Sequence, residues 1–196
     1  GATNILGTDA LTLKVTGTAA AADLITLDSK TSVVVDAKAV TKITGTDLTV
    51  ADVATVLAAK TIAKAADVAV EITGNNISAF QANSIAKSTT GVVTAKVEGS
   101  AALLNSSLKD AKATDNLTLT VSAGTATAAD LKALDAKTLV DVDAALVTTI
   151  TGNAADVKTV LAADGIDTNA NVAVTVTGTV SAADANTITG ATTGKV

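Results

Sequence analysis

The chain has 196 residues, a net charge of −5, 48% hydrophobic residues and one aromatic residue, Phe80. It contains no His, Cys, Met, Trp, Tyr, Pro or Arg, which excludes an imidazole base, a thiolate nucleophile and the usual ligand sets of zinc, haem and iron–sulfur centres. The acidic balance argues against nucleic-acid binding, because phosphate contacts supply most of that affinity, and no apolar run is long enough to cross a bilayer.

A repeated unit runs through the whole sequence. Residues 9–31, DALTLKVTGTAAAADLITLDSKT, return as residues 115–138, DNLTLTVSAGTATAADLKALDAKT, with one additional residue. Seven glycines, spaced 25 to 29 residues apart, mark the units: Gly17, Gly45, Gly74, Gly99, Gly124, Gly152 and Gly178. Such a period is typical of solenoids, in which each unit buries its apolar face against its neighbours. The sequence therefore predicts a single solenoid domain, 1–196, with two copies of a four-unit super-repeat at about 9–114 and 115–196, the second incomplete.

The first half of each unit has the alternating pattern of a strand with one buried face. In six of the seven units the position two residues before the glycine is β-branched, and its neighbours are Thr, Lys or Glu. This apolar column comprises Val15, Ile43, Ile72, Val97, Ile150 and Val176. We expect the glycine to form the turn that ends the strand. Stacking in register would place Lys42, Glu71 and Lys96 side by side.

The second half of each unit is typical of a short helix. A capping side chain stands three residues before an acid or an amide, an arrangement that satisfies free backbone N–H groups and suits the helix dipole. These capping boxes are Thr49–Asp52, Ser78–Gln81, Thr127–Asp130, Asn153–Asp156 and Ser181–Asp184. Apolar residues then follow at helical spacing, as in Val53, Val56 and Leu57.

Strand, helix and a similar strand in succession imply parallel pairing through right-handed crossovers. We therefore expect an α/β solenoid of about seven strand–turn–helix units, with a parallel sheet on one side and short helices on the other. The alternative is an all-β right-handed helix in which the Ala-rich segments are coils. The repeated capping boxes favour the α/β fold.

Few residues are candidates for chemistry. Asp36, Asp141 and Asp143 precede predicted strands, and their carboxylates are the calcium candidates. The Gly-Gly-x-Gly-x-Asp pattern of calcium-binding β-rolls is missing, however. The Thr-x-Thr positions before the glycines could order water, as in ice-binding solenoids, but Lys and Glu interrupt the array. Solvated strand positions with high β-propensity are the simpler interpretation. We predict no catalytic residue, no cofactor and no enzymatic activity.

Both ends of the chain carry parts of the repeat. TTGKV at Thr192–Val196 matches TTGVV at Thr89–Val93, which opens a further unit, and residues 1–13 precede the first full strand. A solenoid without polar caps exposes sheet edge and core at its ends. We therefore predict head-to-tail self-association, or the same contact made covalently in a longer parent chain. The residues predicted for this contact are Thr192, Thr193, Gly194, Lys195 and Val196 at one end, and Leu11 and Leu13 at the other.

The segments ITGTDLTVADVATVLAA, VSAADANTI and TTGVV resemble the tandem repeats of very large bacterial surface proteins, notably cyanobacterial β-strand-repeat proteins. The resemblance covers essentially the whole chain and supplies no catalytic residues. It implies an extracellular or cell-surface location. The expected function is that of a non-enzymatic module of a fibre, stalk or surface layer, acting by end-to-end self-association. The alternative is an adhesin or ice-binding surface on the Thr-rich strand face.

Overall fold

The structure, a computed structural model, describes residues 9–196, and these residues form seven helices and eleven strands. In chain order the elements are β1 (Lys14–Ala20), α1 (Ala21–Asp28), β2 (Val35–Thr46), α2 (Val50–Ala58), β3 (Ile62–Lys64), β4 (Ala69–Thr73), α3 (Ala79–Ser88), β5 (Val93–Gly99), α4 (Ala101–Ser107), β6 (Asn116–Val121), β7 (Gly124–Thr127), α5 (Ala128–Asp135), β8 (Val142–Ala144), β9 (Val147–Asn153), α6 (Ala154–Leu161), β10 (Ile166–Thr168), β11 (Ala173–Thr177) and α7 (Ala182–Ala191). The α/β class is confirmed, and the seven helices do not fit the all-β alternative.

The described residues divide into two compact units. Unit 1 comprises residues 9–77 and 81–95. Its strands lie in the order β1, β2, β4 and the beginning of β5, with β3 also paired to β2, and these pairings are parallel. Helices α1 and α2 pack against each other and against β2. Leu24, Ile43 and Val53 are completely buried between these layers.

Unit 2 comprises residues 78–80 and 96–196. It contains two parallel strand groups, β6-β8-β10 and β7-β9-β11. Helices α4, α5, α6 and α7 each contact the next in chain order. The core is aliphatic, and Leu119, Leu131 and Ile150 are completely buried in it. The helices α1 and α2 of unit 1, and α4 to α7 of unit 2, therefore lie beside the helix of the adjacent repeat.

The predicted apolar column is largely confirmed. Ile43, Ile72, Val97 and Ile150 are all buried, with at most 4% of each exposed. Val15 in β1 and Val176 in β11 are only half-buried. Each of these two residues lies in the outermost strand of its sheet. Among the described residues, such a strand has a neighbouring strand on one side only.

The strand register differs from the one predicted from the aligned glycines. Gly45 pairs with Ile72 and Gly152 pairs with Val176, in each case two residues before the glycine of the next repeat. Because side chains alternate along a strand, a shift of two residues keeps every side chain on its predicted face. The burial pattern therefore survives although the predicted register is wrong.

The prediction that the glycine ends the strand is confirmed for β4, β5 and β11, whose last residues lie at or directly before Gly74, Gly99 and Gly178, and it is wrong for three other strands. Strands β1, β2 and β9 continue through Gly17, Gly45 and Gly152, and β1 and β9 run directly into the following helix. Close packing explains glycine at position 45. A Cβ atom built there would lie 2.5 Å from Cγ2 of Val53 on α2. The glycine therefore lets the helix approach the strand.

Three of the predicted helix caps form in full. The Thr127 hydroxyl accepts the Asp130 N–H at 3.0 Å and donates to the Asp130 carboxylate at 2.7 Å. Asn153–Asp156 and Ser181–Asp184 repeat this reciprocal pair at the starts of α6 and α7. Each acid therefore orients the side chain that caps its own helix, and its charge lies at the favourable end of the helix dipole.

The predicted cap of α2 is wrong. Thr49 occupies the cap position but its side chain makes no capping bond, because its hydroxyl accepts the N–H of Thr46 at 2.8 Å instead. Conversely, Ser100 caps α4 by accepting the Leu103 N–H at 3.3 Å, although no acid follows it at the boxed position.

Candidate functional site

Four buried threonines each make the same set of hydrogen bonds. Each threonine follows a helix and bonds to the chain at or just before the start of a strand that precedes that helix. The Thr138 hydroxyl lies 2.7 Å from the Leu117 carbonyl and 3.2 Å from the Asp115 carbonyl, and it accepts the Val140 N–H at 3.0 Å. Only 6% of Thr138 is exposed. The other members are Thr31, Thr89 and Thr192.

Sequence reasoning missed these threonine junctions. Their signal was a threonine 14 or 15 residues after the glycine, which five of the seven repeats have; four of these threonines are buried, and Thr114 is exposed. Because the strands contain many exposed threonines, the four buried threonines could not be distinguished from them in the sequence. The junction is structural, because the hydroxyl uses both its donor and its acceptor on main-chain groups of the same chain.

The C-terminal residues predicted for self-association have two different roles. Thr192 is buried, and its hydroxyl donates to the Val172 carbonyl at 2.6 Å and accepts the Gly194 N–H at 3.0 Å. Thr193 also bonds to the preceding layer, to the Ala170 carbonyl at 2.9 Å. Thr192, Thr193 and Gly194 therefore fix a turn against the preceding repeat.

Lys195 and Val196 lie along β11. The Lys195 carbonyl accepts the Val174 N–H at 2.7 Å, as the Val92 carbonyl accepts the Val70 N–H at 2.9 Å where β5 joins β4. Beside them is a mainly apolar cleft of about 490 Å³. Its lining includes Val174, Val176, Val180, Ala185, Lys195 and Val196. Val180 and Val196 are 38% and 47% exposed.

At the other predicted surface, Leu11 and Leu13 are joined to unit 1 through their backbones. The Leu11 carbonyl accepts the Thr31 hydroxyl at 2.8 Å, and the Leu13 carbonyl accepts the Asp36 N–H at 2.9 Å. The Leu11 side chain is 38% exposed and Leu13 is half-buried. The remainder of the predicted N-terminal edge, residues 1–8, lies outside the described residues.

A ladder of side-chain pairs links the four helices of unit 2. Asn105 of α4 donates to the Asp130 carboxylate of α5 at 2.9 Å. The pairs Lys132–Asp156 and Lys158–Asp184 continue the ladder from α5 to α6 and from α6 to α7. In α5 and α6 the lysine that donates lies two residues after the aspartate that accepts from the preceding helix. Each donor therefore contacts the acid of the next helix, and the ladder runs in one direction along the chain.

The ladder lowers the pKa values of two carboxyl groups. The hydrogen bond from Lys132, followed by the one from Asn153, holds the pKa of Asp156 below its ordinary value. Lys158 and then Ser181 have the same effect on the pKa of Asp184. Each acid thus has both a capping and a bridging role.

Two of the three calcium candidates accept hydrogen bonds within local turns. Asp36 accepts the Lys38 N–H at 3.2 Å and Asp143 accepts the Ala145 N–H at 3.1 Å, while Asp141 is exposed. Across residues 9–196, no group of three or more carboxylate, His or Cys side chains is placed to hold a metal ion.

Two threonines of the predicted array form hydrogen bonds within their own sheet. The hydroxyls of Thr44 and Thr73 donate to carbonyls of the preceding strand, at 3.5 and 3.4 Å. Lys42 and Glu71 form an ion pair at 2.8 Å on adjacent strands, as the sequence predicted, although their strands are staggered. This arrangement favours the interpretation of these positions as solvated strand residues.

Comparison of the chain with protein-family models, with curated proteins and with solved structures found no match. In the part of the chain that the structure describes, none of the helices has the length and apolar character needed to cross a membrane.

Proposed function

We propose that this chain is a non-enzymatic structural module whose strand–helix repeats stack as a solenoid and associate end to end with further copies. The proposal rests on the incomplete burial of β11 at its outer edge. Its Val176 is half-buried, whereas the equivalent Ile43 and Ile150 are completely covered by the next strand. An apolar cleft beside this strand is the kind of surface that another strand covers.

The bonding of the polar residues supports a structural role. The buried threonines join strands, the helix-cap acids join helices, and Lys42 and Glu71 join β2 to β4. In a solenoid, stability comes from such nearest-neighbour contacts, and the same contacts can bind the next copy of the repeat. These polar groups therefore bond neighbouring repeats to one another.

The resemblance to bacterial surface repeats supports the proposed setting. We place the module in an extracellular or cell-surface fibre, stalk or surface layer, where a long stack of similar units provides reach and mechanical continuity. A single chain could also be joined covalently to further repeats, in which case the same surfaces would meet within one polypeptide.

Sedimentation velocity over a wide range of protein concentration, followed by negative-stain microscopy, tests this function. We expect concentration-dependent linear assemblies. Dispersed monomers at every concentration would refute self-association. Thermal hysteresis by a monomer would instead support the ice-binding alternative.

A further inference from the structure

We propose, resting on the function above, that the contact between copies joins the β11–α7 surface of one copy to the β1–α1 surface of the next. In this contact Asn186 of α7 donates a hydrogen bond to Asp23 of the next copy. The partner is thus a second copy of this chain, docked in the same direction as its own repeats.

The helix ladder supplies the first argument. In every pair of the ladder, a donor five residues after the cap position contacts an acid three residues after the cap of the next helix: Asn105–Asp130, Lys132–Asp156 and Lys158–Asp184. In α7 the donor position holds Asn186, which is exposed and whose side chain makes no hydrogen bond with the described residues. In α1 the acid position holds Asp23, which is also exposed.

The internal repeat identifies Asp23 as the matching acceptor. Helix α1 has the sequence AADLITLD, and α5, in the equivalent repeat, has AADLKALD. The acid of α5, Asp130, is the one that accepts from an asparagine, Asn105. The chain thus already contains one Asn-to-Asp contact onto this helix sequence, and Asn186 with Asp23 would reproduce it between copies.

The strands supply a second argument. Val15 and Val176 are the two half-buried members of an otherwise buried column, and each lies in the outermost strand of its sheet. Since alternate residues of a strand direct their N–H groups to the same side, the Val176 N–H points to the side on which Val174 bonds to Lys195. Lys195 and Val196 cover the first part of this edge, and the β1 strand of the next copy would follow them along its remainder. Both valines then become buried.

Charge changes at the two positions test the contact. Asn186→Asp places like charges opposite each other, so we expect association to weaken roughly fivefold, and by less at high salt. Adding Asp23→Lys to the same chain restores opposite charges and should recover wild-type association. The matched control is Thr187→Asp, which adds the same charge to the same helix at an exposed residue bonded only to its own helix.

Sedimentation equilibrium gives the association constants, and circular dichroism with urea unfolding checks that each variant is folded. If wild type never associates, the proposed function fails and this contact falls with it. If wild type associates but Asn186→Asp behaves like Thr187→Asp, or the double variant shows no recovery, the contact lies elsewhere and the proposed function stands.

Cross-linking provides an independent measurement, because the wild-type chain has no cysteine. An equimolar mixture of Asn186→Cys and Asp23→Cys chains, distinguished by a mass tag on one of them, should form the mixed disulfide in preference to either homodimer. A mixture in which Thr187→Cys replaces Asn186→Cys should not. Equal yields from the two mixtures would overturn the assignment.

Discussion

Replacing Thr138 by Val tests whether the threonine junctions hold the layers together. The two side chains have nearly the same shape, so the substitution removes the hydroxyl and leaves little space. The Asp115 carbonyl keeps a bond from the Leu139 N–H at 2.8 Å, but the Leu117 carbonyl loses its 2.7 Å donor and the Val140 N–H loses its acceptor.

The expected cost follows from those two groups. A buried polar group left without a partner costs about 1–3 kcal/mol. The Leu117 carbonyl bears this cost in full, whereas the half-buried Val140 N–H can recover water. The added methyl group returns about 0.8 kcal/mol. We therefore expect Thr138→Val to lower the free energy of unfolding by about 1–2 kcal/mol.

Urea unfolding followed by circular dichroism measures the change. Thr159→Val is the matched control, because that exposed hydroxyl bonds only to the Ala155 carbonyl of its own helix, at 2.9 Å. It should change stability by no more than about 0.5 kcal/mol. Thr138→Ser retains the hydroxyl and should lose only about 1 kcal/mol, from the missing methyl group. If Thr138→Val is no more harmful than Thr159→Val, the junction contributes nothing and the reasoning is wrong.

Three further perturbations test other features. Gly45→Ala introduces a Cβ against α2 and should cost about 1–3 kcal/mol, whereas Gly190→Ala, in open space within α7, should stabilise by about 0.5–1 kcal/mol; equal effects in thermal unfolding would contradict the packing. Asp156 has a lowered folded pKa, so its stabilisation is present above the unfolded value of about 3.9 and is lost as pH falls through the folded pKa; urea midpoints of Asp156→Asn should therefore fall less on acidification than those of wild type. Ile150→Asp puts an unpaired charge into the core of unit 2, and hydrogen exchange should accelerate in β7 and β11 as well as β9; exchange confined to β9 would refute nearest-neighbour coupling.

The parts of the fold that depend on local chemistry could be predicted from the sequence. The capping pairs of α5, α6 and α7 are contained in four consecutive residues, and their geometry depends on little else. The buried column was visible because alternation fixes which face of a strand is apolar, whatever the register. For the same reason the α/β class followed from the pattern alone.

The contacts between repeats could not be predicted in this way. A stagger of two residues leaves the same side chains buried, so the apolar pattern cannot distinguish Gly45 paired with Ile72 from glycine paired with glycine. The cap of α2 failed because Thr49 has a second main-chain N–H within reach, that of Thr46. The short strands β3, β8 and β10, of three residues each, are too short to show a period.

The threonine junctions also limit how a gene of this kind can grow and shrink. Each junction spans about 25 residues, from the strand carbonyl to the N–H that follows the threonine, as in 9–33 and 115–140. A recombination break inside such a span would separate a hydroxyl from its carbonyl and leave both layers poorly joined. Breaks between the spans, as in residues 34–65 or 141–169, keep every junction whole. Duplications and deletions that preserve a folded product should therefore have their endpoints in these intervals. Their lengths should correspond to whole pairs of repeats, so that repeats with the buried threonine still alternate with repeats that lack it.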